Sequence, residues 1–102
     1  MIKSNSISQI EIDKLIQNGD KIIIIDVRNP EEYSEKHIPT AVNIPLEQIE
    51  SGKVEFEKNT VVVTACGKGG GRSEKAANFI QNQFENEVYF LEGGTFGWKE
   101  KE

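Results

Sequence analysis

The sequence predicts an α/β fold: a small three-layer α/β/α domain with a central, mostly parallel sheet. Strand-like and helix-like segments alternate along the chain, and this alternation favours parallel strands with helices on both sheet faces. Residues 22–27 and 60–65 form short runs rich in β-branched residues, typical of strands buried on both faces. The 102 residues are one domain's worth, so we expect a single domain over 1–102.

The first predicted element is a helix that precedes the strand 22–27. We interpret residues 6–18 as a short lead-in followed by this helix, with Ile10, Leu15 and Ile16 on its apolar face. Gly19 lies where a C-terminal cap belongs, because glycine accepts the left-handed conformation that ends many helices.

A short helix is predicted directly after the strand 22–27. Asn29 can cap this helix, Pro30 suits its first position, and Glu32 stands where the acid of a capping box belongs. The helix must end before His37-Ile38-Pro39, because proline cannot continue it.

The rest of the chain predicts three further strands and two further helices. Residues 41–44 are a short strand, 45–50 are a short helix, and 60–65 and 88–91 are the later strands. The helix between the last two strands has an apolar face supplied by small and aromatic residues: Ala76, Ala77, Phe79, Ile80 and Phe84.

The charge and the hydropathy pattern exclude several classes of function. The net charge is −5, from 12 basic and 17 acidic residues, and the basic residues form no cluster. Nucleic-acid binding and binding to anionic membranes both need such a cluster, so we expect neither. No apolar run approaches the length of a membrane span or of a secretory signal, which favours a cytoplasmic location.

The cysteine and histidine content argues against a metal centre. The chain has one cysteine, Cys66, and one histidine, His37. An intramolecular disulfide is therefore impossible, and a Cys/His zinc site would lack ligands. We predict no metal and no cofactor.

The strongest functional signal is the loop that begins at Cys66, directly after the strand 60–65. Ligands bind beyond the carboxyl ends of strands in α/β sheets. The loop glycines can turn their N–H groups toward a common centre, and the following helix adds its positive dipole end. With the charges of Lys68 and Arg72, this environment favours the thiolate and can lower a cysteine pKa to roughly 3.5–7.5.

Two simpler interpretations of this loop are weaker. A lone cysteine at a strand end is commonly a small buried apolar residue. A glycine-rich loop between a strand and a helix commonly binds phosphate, but this loop lacks the residue order of a P-loop. A cysteine followed by four glycines and an arginine is more specific than either feature, so we favour a nucleophilic thiol.

Three motifs in this order make the chain resemble the rhodanese-like domain family. They lie at residues 25–45, which include Asp-Val-Arg and His-Ile-Pro, at the loop 66–73, and at 91–98, which include Glu-Gly-Gly and Trp98. Lys36 and Thr40 stand where the family often has glycine, a departure that we expect to affect turns and not chemistry.

The resemblance implies a small α/β domain in which Cys66 accepts a sulfane sulfur from an anionic donor such as thiosulfate. The resulting persulfide passes its outer sulfur to cyanide or a thiol. The implied donor-binding residues are Gly67, Lys68, Gly69, Gly70, Gly71, Arg72 and Ser73. The implied partners are these small molecules and, as a further possibility, a sulfur-relay protein; we expect a monomer.

Two alternatives to a sulfurtransferase remain open at this point. Five residues separate Cys66 from Arg72, and this C-x5-R spacing resembles the phosphatase and arsenate-reductase branches of the family. Those branches commonly have histidine before the cysteine, whereas this chain has Ala65. The second alternative is a non-catalytic module that carries sulfur to a partner protein.

Several charged residues near the motifs are interpreted as structural. Asp26 and Arg28 are expected to form a structural ion pair or a helix cap, and Arg28 with Glu32 a pair of the same kind. His37 precedes Ile-Pro in a loop, and we interpret it as a turn residue.

Three other residues near the site keep two interpretations each. Ser73 can donate to the bound anion or cap the following helix, and the cap is the safer prediction. Phe96 and Trp98 can line the mouth of a substrate site or cover the core.

Overall fold

The computed structural model describes residues 5–68 and 71–100, which form a single five-stranded sheet flanked by helices. The elements in chain order are β1 (Asn5–Ile7), α1 (Gln9–Gln17), β2 (Lys21–Asp26), α2 (Pro30–Glu35), β3 (Val42–Asn43), α3 (Leu46–Glu50), β4 (Thr60–Ala65), α4 (Gly71–Gln83), β5 (Val88–Leu91) and α5 (Gly94–Gly97). The strand order is β1-β5-β4-β2-β3, and every pair is parallel. The predicted α/β fold is therefore confirmed.

Alternate residues of the central strands divide the core into two apolar clusters, one on each side of the sheet. In β4, Val61 and Val63 join the cluster that contains Ile12 of α1. Val62 between them joins the cluster that contains Ala77 of α4. Successive side chains of a strand point to opposite faces. Helices therefore pack on both faces of the sheet, as the sequence predicts.

The capping predictions for α2 are confirmed. The Asn29 side chain accepts a hydrogen bond from the Glu32 N–H, and the Glu32 carboxylate accepts one from the Asn29 N–H. Pro30 occupies the first helical position. This capping box fixes the position of Glu32 in the first turn of α2. Glu32 belongs to the site described below.

The helix predicted within residues 6–18 is confirmed as α1, but the lead-in and the apolar face differ from the prediction. Residues 5–7 are a strand, β1, which pairs with β5 at the sheet edge. Ile10 and Ile16 are 68% and 55% exposed, whereas Ile12 is fully buried. Positions five or six residues apart cannot share a helical face, since about 3.6 residues make a turn. Ile12 and Leu15, three residues apart, instead contact the core together.

The carboxyl ends of β2, β4 and β5 meet at one edge of the sheet. The N–H of Val27, after β2, donates to the carbonyl of Ala65 at 2.9 Å. The N–H of Thr95, after β5, donates to the carbonyl of Cys66 at 2.7 Å. Cys66 is therefore held by backbone hydrogen bonds at the carboxyl end of the strands, where parallel sheets bind ligands.

No helix among the described residues is long and apolar enough to span a membrane.

Backbone strain is concentrated at Thr40, whose φ of 72° lies in the left-handed region. That region is a genuine outlier for a β-branched residue, whereas asparagine visits it readily. Asn59 has a φ of 65° and supplies the matched case of a residue that suits this conformation. Both side chains are exposed, so neither substitution below disturbs the core.

We predict that Thr40→Asn raises the free energy of unfolding by about 1 kcal/mol and that Asn59→Thr lowers it by about the same amount. Urea denaturation followed by circular dichroism measures both. Equal stability of all three proteins would show that the left-handed backbone at these positions carries no strain.

Candidate active site

The thiol of Cys66 is fixed by the first turn of α4. Its side chain is buried, and its Sγ lies 3.3 Å from the hydroxyl oxygen of Ser73, to which it is hydrogen bonded. Ser73 is fully buried, and its carbonyl accepts a 2.7 Å hydrogen bond from the Thr64 hydroxyl of β4. The prediction that Ser73 caps this helix is wrong, because α4 begins two residues earlier at Gly71.

Cys66 opens into a shallow cleft of about 460 Å³. The lining residues come from α2, from the loop after β4, from the start of α4 and from α5: Glu32, Cys66, Gly67, Lys68, Gly71, Arg72 and Phe96. Of the predicted donor-binding residues, Gly67, Lys68, Gly71 and Arg72 line the cleft, whereas the buried Ser73 contacts the Cys66 thiol instead. Gly69 and Gly70 lie outside the described residues, so their role stays a prediction.

A side chain at position 67 would crowd the ring of Phe96. Gly67 and Gly71 are not among the glycines with a positive φ, so a left-handed backbone does not account for glycine at either position. A Cβ on Gly67 would lie 3.0 Å from Cε2 of the Phe96 ring. Glycine at 67 therefore allows Phe96 to lie against the loop.

The two aromatic residues near the carboxyl end have separate roles. Phe96 is 56% exposed and forms a wall of the cleft, and its N–H donates to the carbonyl of Gly67 at 3.0 Å. Trp98, like Leu15 and Tyr33, packs against the core. Of the two roles that the sequence left open, Phe96 therefore lines the cleft and Trp98 covers the core.

Glu32 accepts hydrogen bonds from both terminal nitrogens of the Arg72 guanidinium. Its Nη1 donates to Glu32 Oε1 at 2.8 Å, and its Nη2 donates to Oε2 at 3.2 Å. The hydrogen bond with Arg72 is the main cause that lowers the pKa of Glu32, and the same bond raises the pKa of Arg72. Glu32 is therefore held as a carboxylate in the cleft.

The prediction of an Arg28–Glu32 ion pair is wrong, because Glu32 pairs with Arg72 instead. The sequence also did not indicate that Glu32 lines the cleft. Glu32 follows β2, whereas Arg72 follows the adjacent strand β4, so the parallel pairing of these strands brings them together across 40 residues. The available signal was the position of both residues just beyond strand ends. The strand order needed to use that signal was not predicted.

Asp26 and Arg28 form the expected ion pair, and it is buried. Arg28 Nε donates to Asp26 Oδ1 at 3.0 Å, and Nη2 donates to Oδ2 at 2.7 Å and to the carbonyl of Lys36 at 2.6 Å. Asp26 is the main cause that raises the pKa of Arg28. The guanidinium carbon lies 5.6 Å from the centre of the Phe96 ring, within range of a cation–π contact. This pair therefore supports the Phe96 wall of the cleft.

His37 makes structural contacts away from the cleft. Its ring stacks on Tyr33 with centroids 3.8 Å apart, and its Nδ1 is hydrogen bonded to the Tyr33 carbonyl at 2.8 Å. These contacts agree with a structural role for His37. Among the described residues, no group of three potential metal ligands converges.

The comparison with known families agrees with the fold. The model of the rhodanese-like domain matches residues 8–101. The chain belongs to the rhodanese-like domain family.

Similar proteins of this family differ in length and in name. The putative sulfur carrier protein YrkF of Bacillus subtilis (strain 168) is 34% identical over 101 residues, which cover 96% of this chain and 54% of that protein. This chain therefore spans about half of YrkF. The thiosulfate sulfurtransferase GlpE of Coxiella burnetii is 31% identical over 93 residues, which cover 91% of this chain and 85% of GlpE.

Solved structures show the same fold. The human single-domain sulfurtransferase TSTD1 superimposes with a TM-score of 0.78 at 26% identity, covering 97% of this chain and 98% of that one. A rhodanese-like domain protein from Staphylococcus aureus gives a TM-score of 0.77 at 28% identity, covering 95% and 93%.

We predict that Arg28→Met lowers the free energy of unfolding by about 3–5 kcal/mol, because it leaves the buried Asp26 carboxylate without its counter-charge. Guanidinium denaturation measures the change. The double variant Asp26→Asn/Arg28→Met removes both charges but keeps a side-chain oxygen for the backbone N–H of residue 28, so we expect it to be more stable than Arg28→Met. A loss below about 1 kcal/mol for the single variant would contradict a structural role for the pair.

Proposed function

We propose that this protein is a sulfurtransferase that moves a sulfane sulfur from an anionic donor such as thiosulfate to cyanide or a thiol through a persulfide on Cys66. The observation that carries the proposal is that Cys66 lines the same cleft as Lys68 and Arg72. Such cationic surroundings stabilise both a thiolate and an anionic donor. Membership of the rhodanese-like family supports the same reaction class.

The proposed reaction has two displacement steps at sulfur. The Cys66 thiolate attacks the outer sulfur of thiosulfate, a new S–S bond forms, and sulfite leaves with the electron pair of the old bond. Cyanide then attacks the outer sulfur of the persulfide, thiocyanate leaves, and the thiolate is restored. The hydrogen bond between Cys66 and Ser73 favours this cycle, because the serine hydroxyl can donate to the thiolate whenever Cys66 carries no added sulfur.

We assign donor binding to the loop and to the start of α4. Arg72 offers a planar fork that fits two oxygens of a sulfonate group, and Lys68 adds a mobile point charge. The backbone N–H groups of the loop contribute further donors, including those of Gly67, Gly69, Gly70 and Gly71. Ser73 contributes through Cys66, since it is fully buried.

The persulfide must pass its sulfur to an acceptor outside this chain. The sequence contains one cysteine, so no second thiol of this chain can attack the outer sulfur. The acceptor is then a small thiophile or the thiol of a sulfur-relay protein. We propose a monomer in the cytoplasm, where a free thiol stays reduced.

The C-x5-R spacing favours a second candidate, a phosphatase or arsenate reductase. Phosphate-ester hydrolysis needs an acid to protonate the leaving oxygen. Ala65 supplies no such group, and Glu32 is held as a carboxylate because Arg72 lowers its pKa. These two residues favour sulfur transfer, which needs no proton for its leaving group.

A paired assay on the purified protein separates these candidates, with Cys66→Ser as the control. One arm follows thiocyanate from thiosulfate and cyanide; the other follows phosphate release from an aryl phosphate and arsenate reduction with a thiol. We expect thiocyanate formation that the substitution abolishes. Phosphate release or arsenate reduction without thiocyanate would contradict the proposal, and a stable persulfide with very slow turnover would indicate a sulfur carrier.

We predict that Arg72→Lys raises the KM for thiosulfate about tenfold, because lysine cannot offer the two parallel N–H groups of the fork. The matched control is Lys75→Ala, which removes an exposed cation of the same helix that pairs with Glu50. Steady-state thiocyanate formation measures both. An unchanged KM for Arg72→Lys, or an equal rise for Lys75→Ala, would show that the fork does not bind the donor.

A further inference from the structure

The carboxylate of Glu32 occupies the groups of Arg72 that an anionic donor would use. Two oxygens of one planar group accept from Nη1 and Nη2 at 2.8 and 3.2 Å. Two oxygens of a sulfonate can accept from the same fork. Glu32 and the donor therefore compete for one site, and the carboxylate lines the cleft beside Cys66.

We propose that Glu32 is a specificity-determining residue: an internal anion that a donor must displace from Arg72, and whose charge then disfavours dianionic donors relative to monoanionic ones. This inference rests on the proposed function and names the donor class of the same site. The favoured donors are singly charged sulfane compounds, such as thiosulfonates and persulfides of thiols.

The pair is built to be displaced and not to be permanent. The side chains of Arg72 and Glu32 are 45% and 36% exposed, and ion pairs with this exposure are weak. The buried pair of Asp26 and Arg28 in the same region is 1% and 2% exposed and cannot open in this way. Solvent can take the place of Arg72 around Glu32 when a donor binds.

Glu32 stays close to the cleft after it is displaced. Its backbone belongs to α2, and the capping box with Asn29 holds the residue at that position. A displaced carboxylate therefore remains near the bound donor, and the repulsion grows with the negative charge of the donor. A dianion is penalised about twice as much as a monoanion at the same distance.

Glu32→Gln tests this inference with little change in shape. Glutamine also serves at the third position of a capping box, so α2 keeps its cap while the charge is lost. The matched control is Glu31→Gln, which removes the same charge from the neighbouring exposed residue of α2. Circular dichroism and urea denaturation of each variant check that the fold is intact.

Two donors that differ in charge provide the catalytic readout. Thiosulfate is a dianion, and methanethiosulfonate is a monoanion with the same outer sulfur; its methanesulfinate leaves as sulfite does. We expect Glu32→Gln to raise kcat/KM for thiosulfate about tenfold and for methanethiosulfonate about threefold, with Glu31→Gln within about twofold of the parent. Added salt should reduce these differences, since it screens exposed charges.

A binding measurement separates this inference from the proposed function. Sulfate, which cannot transfer sulfur, is titrated calorimetrically into Cys66→Ser and into Cys66→Ser/Glu32→Gln. We expect about tenfold tighter binding to the double variant. Unchanged or weaker sulfate binding would overturn the inference and would show that Glu32 orients Arg72. If Glu32→Gln tightens sulfate binding but the unsubstituted protein forms no thiocyanate, the proposed function is rejected and the competition between Glu32 and the bound anion stands.

Discussion

The parallel pairing of β2 with β4 is the constraint on which the site depends. The two strands run in register from Lys21 opposite Thr60 to Asp26 opposite Ala65. Their carboxyl ends therefore stop at the same level, and the segments that follow carry Glu32 after β2 and Cys66 after β4, which line the same cleft. A shift of one residue would turn every side chain of a strand to the other face and separate these groups.

Two ion pairs near the carboxyl ends of β2 and β4 have different roles because they differ in solvent exposure. The pair of Asp26 and Arg28 is sealed from solvent and supports the aromatic wall formed by Phe96. The pair of Glu32 and Arg72 is open to solvent and lies in the cleft. Burial makes the first pair costly to break, whereas the second can exchange its partner for another anion. Structural support and ligand exchange are thus assigned to separate arginines.

The sequence predicted the features that depend on local pattern. Residues 60–65 are β4 as predicted, because a β-branched run flanked by turn residues has no competing interpretation. The start of α2 followed from Asn29, Pro30 and Glu32, since caps act over three or four residues. The Asp26–Arg28 pair followed from its two-residue separation beyond a strand.

The features that depend on strand order could not be predicted. β1 has three residues and no pattern of its own; it is a strand because β5 pairs with it. The contact between Glu32 and Arg72 joins residues 40 apart, and it exists because β2 and β4 are neighbours in the sheet. The packing of Phe96 on Gly67 likewise requires the turn after β5 to return over the loop after β4.

The claim that Cys66 carries sulfur is tested most directly by the mass of the intact protein after incubation with thiosulfate. A persulfide adds one sulfur atom, a gain of about 32 Da, and peptide mapping locates it on the modified cysteine. We predict this gain on Cys66, its removal by cyanide with release of thiocyanate, and its absence from Cys66→Ser. An unmodified Cys66 after incubation with thiosulfate and with a monoanionic thiosulfonate would contradict sulfur transfer through this thiol.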